Sequence, residues 1–576
     1  MMKIILPRML MAVLAILCLA SCDDHSEKAG FKNIQTVSAL KDHSREFIRR
    51  VEKVTDGVYV AIGFGLANSV MIVGDDGVII VDTMECVAAA TEVRKAFEAI
   101  TKKPVKAVIY THNHADHVFG ASVFADNPAI PVYAHESTSG YIDRVVSTLR
   151  PILTRRSMRM FGTFLDDAGL VNAGIGARLN LNADSIIGVV RPTITFAEAL
   201  TDEIAGVRFQ LRHAPGETDD QIFVWLPDKK VLLPGDNIYK TFPNLYTIRG
   251  TSFRDPADWV KSLDMMRELR PEYLVPCHTG PVTGADNIYR TLTDYRDGIA
   301  FVHDQTIRGM NMGLTPDELA EIIHLPPHLA KSPYLQEFYG TVAWSVKSIF
   351  DGNLGWFDGN PSRLFPLPPL EHAREMSNLA GGDDKLLVKA EKAFQDGNFQ
   401  WALELTDHLM RLNPKNKAAA DLRVKSLTAL GERQANPNAR HYYLTCAAEL
   451  GQGLKIHQQG KPTMEMVHSL PMSRFFDALA VNLDPEKSAD VEETVQFVFP
   501  DSHETYFIQI RRGVSEIQPR MAENPGITAT VDSKIFKEML GKLRNPVTTI
   551  ATEFDIKGST VGFLKFMAMF DPAYEE

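Results

Sequence analysis

Three histidines and one aspartate lie within six residues, directly after a short apolar run. The run is Val105–Tyr110, and the stretch that follows it reads Thr111-His112-Asn113-His114-Ala115-Asp116-His117. Imidazole and carboxylate groups are suitable ligands for zinc or a neighbouring divalent metal. In an extended chain His112 and His114 point to the same side. Asp116 and His117 then turn toward the position of a second metal. The stretch predicts a metal site at the C-terminal end of a buried strand.

The segments around this stretch alternate between strand-like and helix-like patterns. The strand-like segments are Val58–Ile62, Ser69–Val73, Val78–Asp82, Val105–Tyr110, Val207–Leu211, Ile222–Leu226, Val231–Leu233 and Tyr273–Val275, and the helix-like segments are Ala88–Ile100, Ala257–Leu269, Tyr289–Arg308 and Pro316–Ile323. This alternation is typical of α/β folds, which place their chemistry at the C-terminal ends of strands. Pro-rich sequence closes the first region near residue 372.

Further metal ligands have to come from the ends of later strands. Three candidates lie in turn regions that contain Pro or Gly, namely Glu217, Asp236 and His278. Taken singly, an acidic residue in a turn is most often only solvated, and a single histidine is seldom a ligand. Added to the four side chains of the first stretch, they give seven candidate ligands. That number favours two metals with a bridging hydroxide over one metal with three ligands and a water.

The remaining sequence divides into two regions of different character. At about 150 residues per domain, 576 residues predict three to four domains. Residues 383–450 follow a helix–turn–helix pattern of the tetratricopeptide type, with one or two copies visible. From about residue 455 strands and helices mix again, with strands at Thr494–Val498, Thr505–Ile510 and Gly526–Val531 and helices at Ser533–Leu540 and Val561–Phe570.

The composition excludes several classes of protein. The chain is 45% hydrophobic and 23% charged, which is ordinary for a folded protein and not for a disordered one. Five cysteines in 576 residues cannot form a disulfide scaffold. The formal net charge is −11 and the sequence has no long basic run, so nucleic acid is not expected as a partner.

The N-terminus has the pattern of a signal peptide. Lys3 and Arg8 precede the apolar run Met9–Leu19, which is too short to span a membrane. The run ends in Leu19-Ala20-Ser21-Cys22, which resembles a bacterial lipobox. We therefore expect a lipoprotein signal peptide at 1–21, lipidation of Cys22, and an exported protein anchored to a membrane of the bacterial cell envelope or periplasm. The alternative is a plain secretory signal with a chance cysteine.

The order of the ligand candidates resembles the metallo-β-lactamase superfamily. The flanking sequence further resembles the alkyl sulfatases (type III sulfatases) of that superfamily, through Met160–Leu165, Asn244–Gly250, Arg254-Asp255-Pro256, His303–Thr306, Tyr339–Val342 and Gly355–Pro361. The resemblance implies an αββα sandwich at 45–375 after a linker at 22–44. It also implies an α-helical dimerisation domain at 380–452 and an α/β sterol-carrier-like domain at 455–576, and therefore a homodimer.

The same resemblance implies two zinc ions per subunit and a role for each site residue. The first zinc would be bound by His112, His114 and Glu217, the second by Asp116, His117 and His278, and Asp236 would bridge them. Arg249 and Asn244 fall where the family binds sulfate, and Tyr246 is a further candidate hydrogen-bond donor. In lactamases the position of Glu217 is normally histidine, and in this family the position of Asp236 is usually glutamate.

Several positions depart from the alkyl sulfatase pattern. The family has a histidine and an asparagine where this chain has Trp344 and Ser345, and a tryptophan cannot transfer a proton at neutral pH. Thr279 and Lys240 also occupy positions at which the family often has a histidine. His303 is the remaining candidate for a general acid, although a buried structural role on its helix is the alternative.

Three functions are consistent with this sequence. The first is hydrolysis of an alkyl sulfate ester to an alcohol and inorganic sulfate by a metal-activated hydroxide. The second keeps the metal-dependent hydrolase and changes the substrate to another ester class, such as a phosphodiester or a lactone. The third is a lipoprotein that binds amphiphiles without catalysis.

Overall fold

Two β-sheets packed face to face form the centre of the described chain up to about residue 360. The computed structural model describes residues 28–31, 34–146, 148–457 and 459–570, so the predicted signal peptide and Cys22 lie outside the described residues and their roles stay predictions. The strands of this part are β1 Arg50–Thr55, β2 Val58–Ile62, β3 Ser69–Val73, β4 Val78–Val81, β5 Val105–Ile109, β6 Val132–His135, β7 Ile186–Ile187, β8 Ile194–Phe196, β9 Ala199–Ile204, β10 Val207–His213, β11 Ile222–Leu226, β12 Val231–Leu233, β13 Tyr273–Leu274 and β14 Val282–Thr283.

The order of the strands brings the ends of β4 and β5 together. One sheet has seven strands in the order β1-β2-β3-β4-β5-β6-β8, and the other has six in the order β14-β13-β12-β11-β10-β9. Strands β4 and β5 are parallel, with Val81 opposite Ile109. Every residue of β4 and β11 is buried, because these strands are covered on both faces, and such strands consist of continuous apolar runs.

Several helices of this region cover the outer faces of the sheets. The helices of the region are α1 Ser38–His43, α2 Val87–Glu98, α3 Ala115–Val118, α4 Thr138–Val146, α5 Arg150–Met160, α6 Asp167–Leu170, α7 Pro256–Glu268, α8 Ala285–Asn311, α9 Pro316–Ile322, α10 Pro327–Ala330 and α11 Val342–Leu354. Val93 of α2 packs on the first sheet, and Trp259 of α7 and Leu292 of α8 pack on the second. A separate core that includes Ile72 and Val224 fills the space between the sheets. The predicted αββα sandwich is therefore confirmed.

Most of the predicted elements are present, with shifted ends. The predicted strand Val78–Asp82 stops at Val81 because Asp82 adopts a left-handed conformation with φ of 59°. The predicted helix Tyr289–Arg308 is longer and spans Ala285–Asn311. The sequence did not predict the edge strands β1 and β9, which carry partly exposed polar residues and lack a continuous apolar run.

Five helices follow the sandwich and pack against one another in sequence. They are α12 Pro369–Ala380, α13 Asp383–Gln395, α14 Phe399–Leu412, α15 Lys417–Glu432 and α16 Pro437–Gln452. Leu386, Leu405 and Leu422 lie in their shared core. The first of these helices begins at Pro369, earlier than the predicted residue 383. The Pro-rich sequence there does not prevent a helix, because proline is tolerated in the first turn.

The last helix of this group is joined to the sandwich and to the N-terminal segment through one arginine. Arg440 of α16 is fully buried. Its guanidinium donates hydrogen bonds to five uncharged oxygens, namely the carbonyls of Gln35, Ala168, Gly169 and Gly431 and the hydroxyl of Thr36. The range predicted as a linker thus contains residues that are bound to the helical region.

A third unit follows the helices, as predicted. Its elements are β15 Lys461–Pro462, α17 Met464–Ser469, α18 Met472–Val481, β16 Glu492–Phe499, β17 Glu504–Arg511, β18 Val514–Gln518, β19 Ile527–Thr530, α19 Ser533–Leu540, α20 Pro546–Glu553, β20 Asp555–Lys557 and α21 Thr560–Met567. Its five-stranded sheet has the order β18-β17-β16-β19-β20. Aromatic residues such as Phe476, Phe497 and Phe536 fill its core, and β15 pairs with β7 of the sandwich. Among the described residues, none of the helices is both long enough and apolar enough to cross a membrane.

Candidate metal centre

The predicted histidine stretch lies at the end of β5 and in the one-turn helix α3. His114 is the N-cap residue of α3, in extended conformation, and Asp116 and His117 belong to its single turn. The change from strand to helix turns Asp116 and His117 away from the direction of the strand. Because β4 and β5 are parallel and adjacent, the end of β4 places Asp82 beside the same loop.

All seven predicted ligands come together around Asp236. The Oδ2 atom of Asp236 lies 3.5 Å from Nε2 of His112, 3.4 Å from Nε2 of His117 and 3.3 Å from Nε2 of His278. Nε2 of His278 lies 3.5 Å from Oδ2 of Asp116. This places a carboxylate at the centre of the cluster, as the predicted bridging role of Asp236 requires.

Three groups of these side chains have ligand atoms within 4.8 Å of one another. The groups are His112, His117 and Asp236; Asp116, His117 and His278; and His114, Glu217 and Asp236. The second group is the predicted ligand set of one zinc, and the third combines two predicted ligands of the other zinc with the bridging aspartate. Which of the two metals His112 would bind stays a prediction.

The orientation of the imidazoles fits a metal. His117 is held by Asp82 through Nδ1 (2.8 Å), and His278 faces the carbonyl oxygen of Leu66 through Nδ1 (2.9 Å). The Nε2 atoms of both rings, and Oδ1 of Asp236, are buried without a hydrogen-bond partner among the described residues. Buried polar atoms normally have partners, and metal-bound histidines normally use their second nitrogen in this way. The donor set therefore fits one or two divalent ions.

Burial and neighbouring charges shift the pKa values of the side chains in the cluster. Burial raises the pKa of Asp236, but the neighbouring imidazoles of His278, His117 and His112 outweigh burial and hold the pKa well below its usual range. For His117, burial lowers the pKa, and the carboxylates of Asp236 and Asp116 raise it by more. Burial lowers the pKa of His112 to about 3, so this imidazole is neutral. A divalent ion would take the place of the proton on His117, since imidazole binds metal in its neutral form.

Asp82 is a site residue that the sequence analysis missed. Its carboxylate accepts hydrogen bonds from the amide (2.9 Å) and hydroxyl (2.8 Å) of Thr111, from His117, and from the thiol of Cys277 (3.0 Å). It therefore fixes the loop on one side of the cluster and the ring of His117 on the other. The available signal was its position directly after the apolar run of β4, next to the strand that carries the histidines.

Two further residues were missed on the other side of the cluster, around Glu217. Arg254 donates from Nη1 to Oε1 of Glu217 (2.9 Å), and the hydroxyl of Tyr239 donates to Oε2 (3.0 Å). All three side chains are buried. Arg254 was visible only as part of the sequence that resembles the alkyl sulfatases, and Tyr239 had no signal beyond its apolar surroundings.

The three residues predicted to bind sulfate differ in their contacts. Nη2 of Arg249 lies 3.1 Å from Nε2 of His114, so this guanidinium borders the cluster. Asn244 is buried, and both polar atoms of its side chain lack a hydrogen-bond partner among the described residues. Tyr246 is half-buried and makes no hydrogen bond to the described part of the chain, so its predicted role gains no support.

The residues that depart from the alkyl sulfatase pattern make contacts of their own. Lys240 forms an ion pair with Glu46 (2.6 Å), and the hydroxyl of Thr279 donates to the carbonyl of His278. The hydroxyl of Ser345 donates to Thr341 within the first turn of α11. His303 is only partly buried and lines a shallow surface depression formed by residues of α8. His303 lies on α8 as predicted, and its two predicted roles stay predictions.

The comparison with known proteins identifies the family. Three family models match the chain: the metallo-beta-lactamase superfamily at residues 62–278, alkyl sulfatase dimerisation at 315–453 and alkyl sulfatase C-terminal at 461–575. A linear primary-alkylsulfatase of Pseudomonas sp. (strain ATCC 19151) is 38% identical over 521 residues, which cover 87% of this chain and 98% of the relative. The chain belongs to the alkyl sulfatase family of the metallo-β-lactamase superfamily.

Other alkyl sulfatases agree with this assignment. An alkyl/aryl-sulfatase of Saccharomyces cerevisiae is 30% identical over 537 residues, covering 90% of this chain and 82% of the relative. The solved structure of a double mutant of the sec-alkyl sulfatase PisA1 superposes with a TM-score of 0.86 at 26% identity, covering 98% of this chain and 96% of that one. The predicted family and three-part fold are thus confirmed. The dimerisation model begins at residue 315, inside the range predicted as catalytic, and the predicted domain boundaries stay predictions.

Proposed function

We propose that this alkyl sulfatase family member hydrolyses alkyl sulfate esters to an alcohol and inorganic sulfate, with two zinc ions per subunit. The observation that carries the proposal is the guanidinium of Arg249 beside the ligand His114. In the described part of the chain no carboxylate lies within ion-pair distance of Arg249, so its charge is available for an anion. The names of the relatives support sulfate as that anion.

Each group of the site has a role in this reaction. Zinc, when bound, would lower the pKa of water toward about 7 and so supply a nucleophile at neutral pH. The imidazoles and carboxylates around Asp236 hold the ions. Arg249 binds the sulfate oxygens through its planar guanidinium, and the side-chain amide of Asn244 is a second donor. The sulfate leaves as a weakly basic anion, which reduces the need for a general acid.

The substrate is tested with a panel of esters. We expect purified protein with two zinc ions to release inorganic sulfate from primary or secondary alkyl sulfates of graded chain length. Matched alkyl phosphates, phosphodiesters, lactones and acyl esters serve as controls for the alternative ester classes. Turnover of one of those classes without sulfate release would contradict the proposal, and so would the absence of any turnover.

We further propose that two copies of the chain form a homodimer through the connection between α11 and α12. Large apolar side chains are exposed along this connection, with Phe365 90% and Trp356 72% accessible. Leu354, Leu364, Leu367 and Leu370 are exposed as well. Several large exposed apolar side chains within one short segment favour a binding interface, and the dimerisation family model covers the whole segment.

Charges placed in this segment should separate the dimer. Full burial of each aromatic side chain stabilises an interface by several kcal/mol at about 25 cal/mol per Å². We expect the double variant Trp356→Asp/Phe365→Asp to raise the dimer dissociation constant at least about 100-fold, as measured by analytical ultracentrifugation. Val547→Asp, at an exposed apolar position of α20, is the matched control. A wild-type monomer, or a double variant that dimerises like wild type, would contradict this interface.

A further inference from the structure

A closed ring of hydrogen bonds connects the metal ligand Glu217 to the predicted sulfate loop. Arg254 donates from Nη1 to Oε1 of Glu217 and also to the backbone carbonyl of Asn244. The amide of Asn244 donates to the hydroxyl oxygen of Tyr239 (3.0 Å), and that hydroxyl donates to Oε2 of Glu217 (3.0 Å). Both carboxylate oxygens of Glu217 and both backbone polar groups of Asn244 therefore take part in one ring.

The ring is buried, and its arginine carries a charge that needs a partner. The side chains of Arg254 and Glu217 are each 2% accessible. In the described part of the chain, Glu217 is the only carboxylate of the candidate metal centre that is bound by an arginine; Asp116 and Asp236 face imidazoles. Removing one partner of a buried ion pair leaves the other charge without compensation and is costly.

We propose that Arg254 is a positioning residue that couples the two halves of the site. Its guanidinium holds the carboxylate of Glu217, a predicted metal ligand, and through the same Nη1 atom it holds the backbone of Asn244, a predicted sulfate ligand. The proposal rests on the proposed function for the roles of Glu217 and Asn244. It implies that metal affinity and sulfate affinity fall together when the ring is opened in variants that remain folded, and that both recover in part when Arg254→Lys restores the charge.

The coupling can be measured without turnover. Zinc affinity and zinc content per subunit are determined by competition with a chromophoric chelator, and binding of inorganic sulfate is determined by calorimetry on the zinc-loaded protein. Arg254→Met removes the charge and both donations. Tyr239→Phe opens the ring on the opposite side and leaves the ion pair in place. Arg254→Lys keeps the charge without the planar fork. Arg267→Met on α7, where the arginine pairs with Asp264 near the surface, is the control.

The variants should differ in a graded way. We expect Arg254→Met to weaken zinc and sulfate binding each about 10–100-fold, as for other partners of metal ligands. Tyr239→Phe should weaken both about 10-fold, the effect of about one buried hydrogen bond, and Arg254→Lys should restore part of each affinity. The double variant Arg254→Met/Tyr239→Phe should lose less than the product of the single effects, because both open the same ring.

Every outcome decides the proposal. Loss of sulfate binding with zinc affinity unchanged would overturn it, since Arg254 would then serve the anion alone; so would loss of zinc affinity alone. If Arg254→Met does not fold, Tyr239→Phe and Arg254→Lys make the same test, and unchanged affinities in both would overturn the coupling. If the wild type binds zinc and sulfate but hydrolyses no sulfate ester, the proposed function fails while the coupling is still measured.

Discussion

Replacing Asp236 by asparagine should abolish hydrolysis and remove metal from the protein. The carboxylate lies within 3.5 Å of three imidazole Nε2 atoms, and asparagine has the same shape with one carbonyl oxygen and no charge. We expect kcat/KM to fall by more than the roughly 10–100-fold that loss of a supporting partner costs at a metal site. Sulfate release and zinc content per subunit, by elemental analysis, are the measurements.

Two variants control for this effect. Asp228→Asn neutralises an exposed carboxylate that pairs with Arg208 and should leave activity and zinc content unchanged. Asp236→Glu keeps the charge and should retain metal, with activity reduced by the longer side chain. Asp236→Asn with wild-type zinc content and activity would show that this carboxylate does not hold the metals.

Replacing Arg440 by methionine should cause a large loss of stability. Its guanidinium donates to five oxygens on three separate segments. Burial lowers the pKa of Arg440 to about 10, so the side chain is still charged at neutral pH. Methionine would leave several buried carbonyls without this donor, at a cost of about 1–3 kcal/mol each, less the gain from not burying a charge. We expect a loss of at least about 3 kcal/mol in the free energy of unfolding.

The measurement is urea unfolding followed by circular dichroism. Arg411→Met removes an exposed arginine that pairs with Asp407 one helical turn away, and it should change the free energy of unfolding by less than about 0.5 kcal/mol. Limited proteolysis should cut the segment 34–43 faster in Arg440→Met than in the control. Equal stability of the two variants would mean that the five hydrogen bonds are dispensable.

The sequence was most informative where the ligands are close together along the chain. His112, His114, Asp116 and His117 fall within six residues after one strand, so their pattern could be recognised from the residues alone. Glu217, Asp236 and His278 needed the resemblance to a family, because a single acidic residue or histidine after a strand is common. The structure gathers all seven at one end of the sandwich, and their roles as ligands stay predictions.

The supporting residues were missed because their partners are far apart in the sequence. The hydrogen bond from Cys277 to Asp82 spans 195 residues, and that from Arg254 to Glu217 spans 37. No periodic pattern links such positions. Among the secondary elements, buried strands such as β11 were predicted from continuous apolar runs, whereas β9 has the polar sequence Ala-Leu-Thr-Asp-Glu-Ile and depends on its pairing with β10.

The contacts of Arg440 can form only late in the synthesis of the chain, because their partners lie far upstream. Gly169 and Gln35 precede Arg440 by 271 and 405 residues. At about 5–20 residues per second, the ribosome needs roughly 15–55 s to extend the chain from Gly169 to Arg440. The sandwich is made first, yet its junction with the N-terminal segment receives its central donor only after most of the helical region has been synthesised. We therefore expect this junction of the nascent chain to be accessible to proteases and chaperones until the last helix of that region has docked.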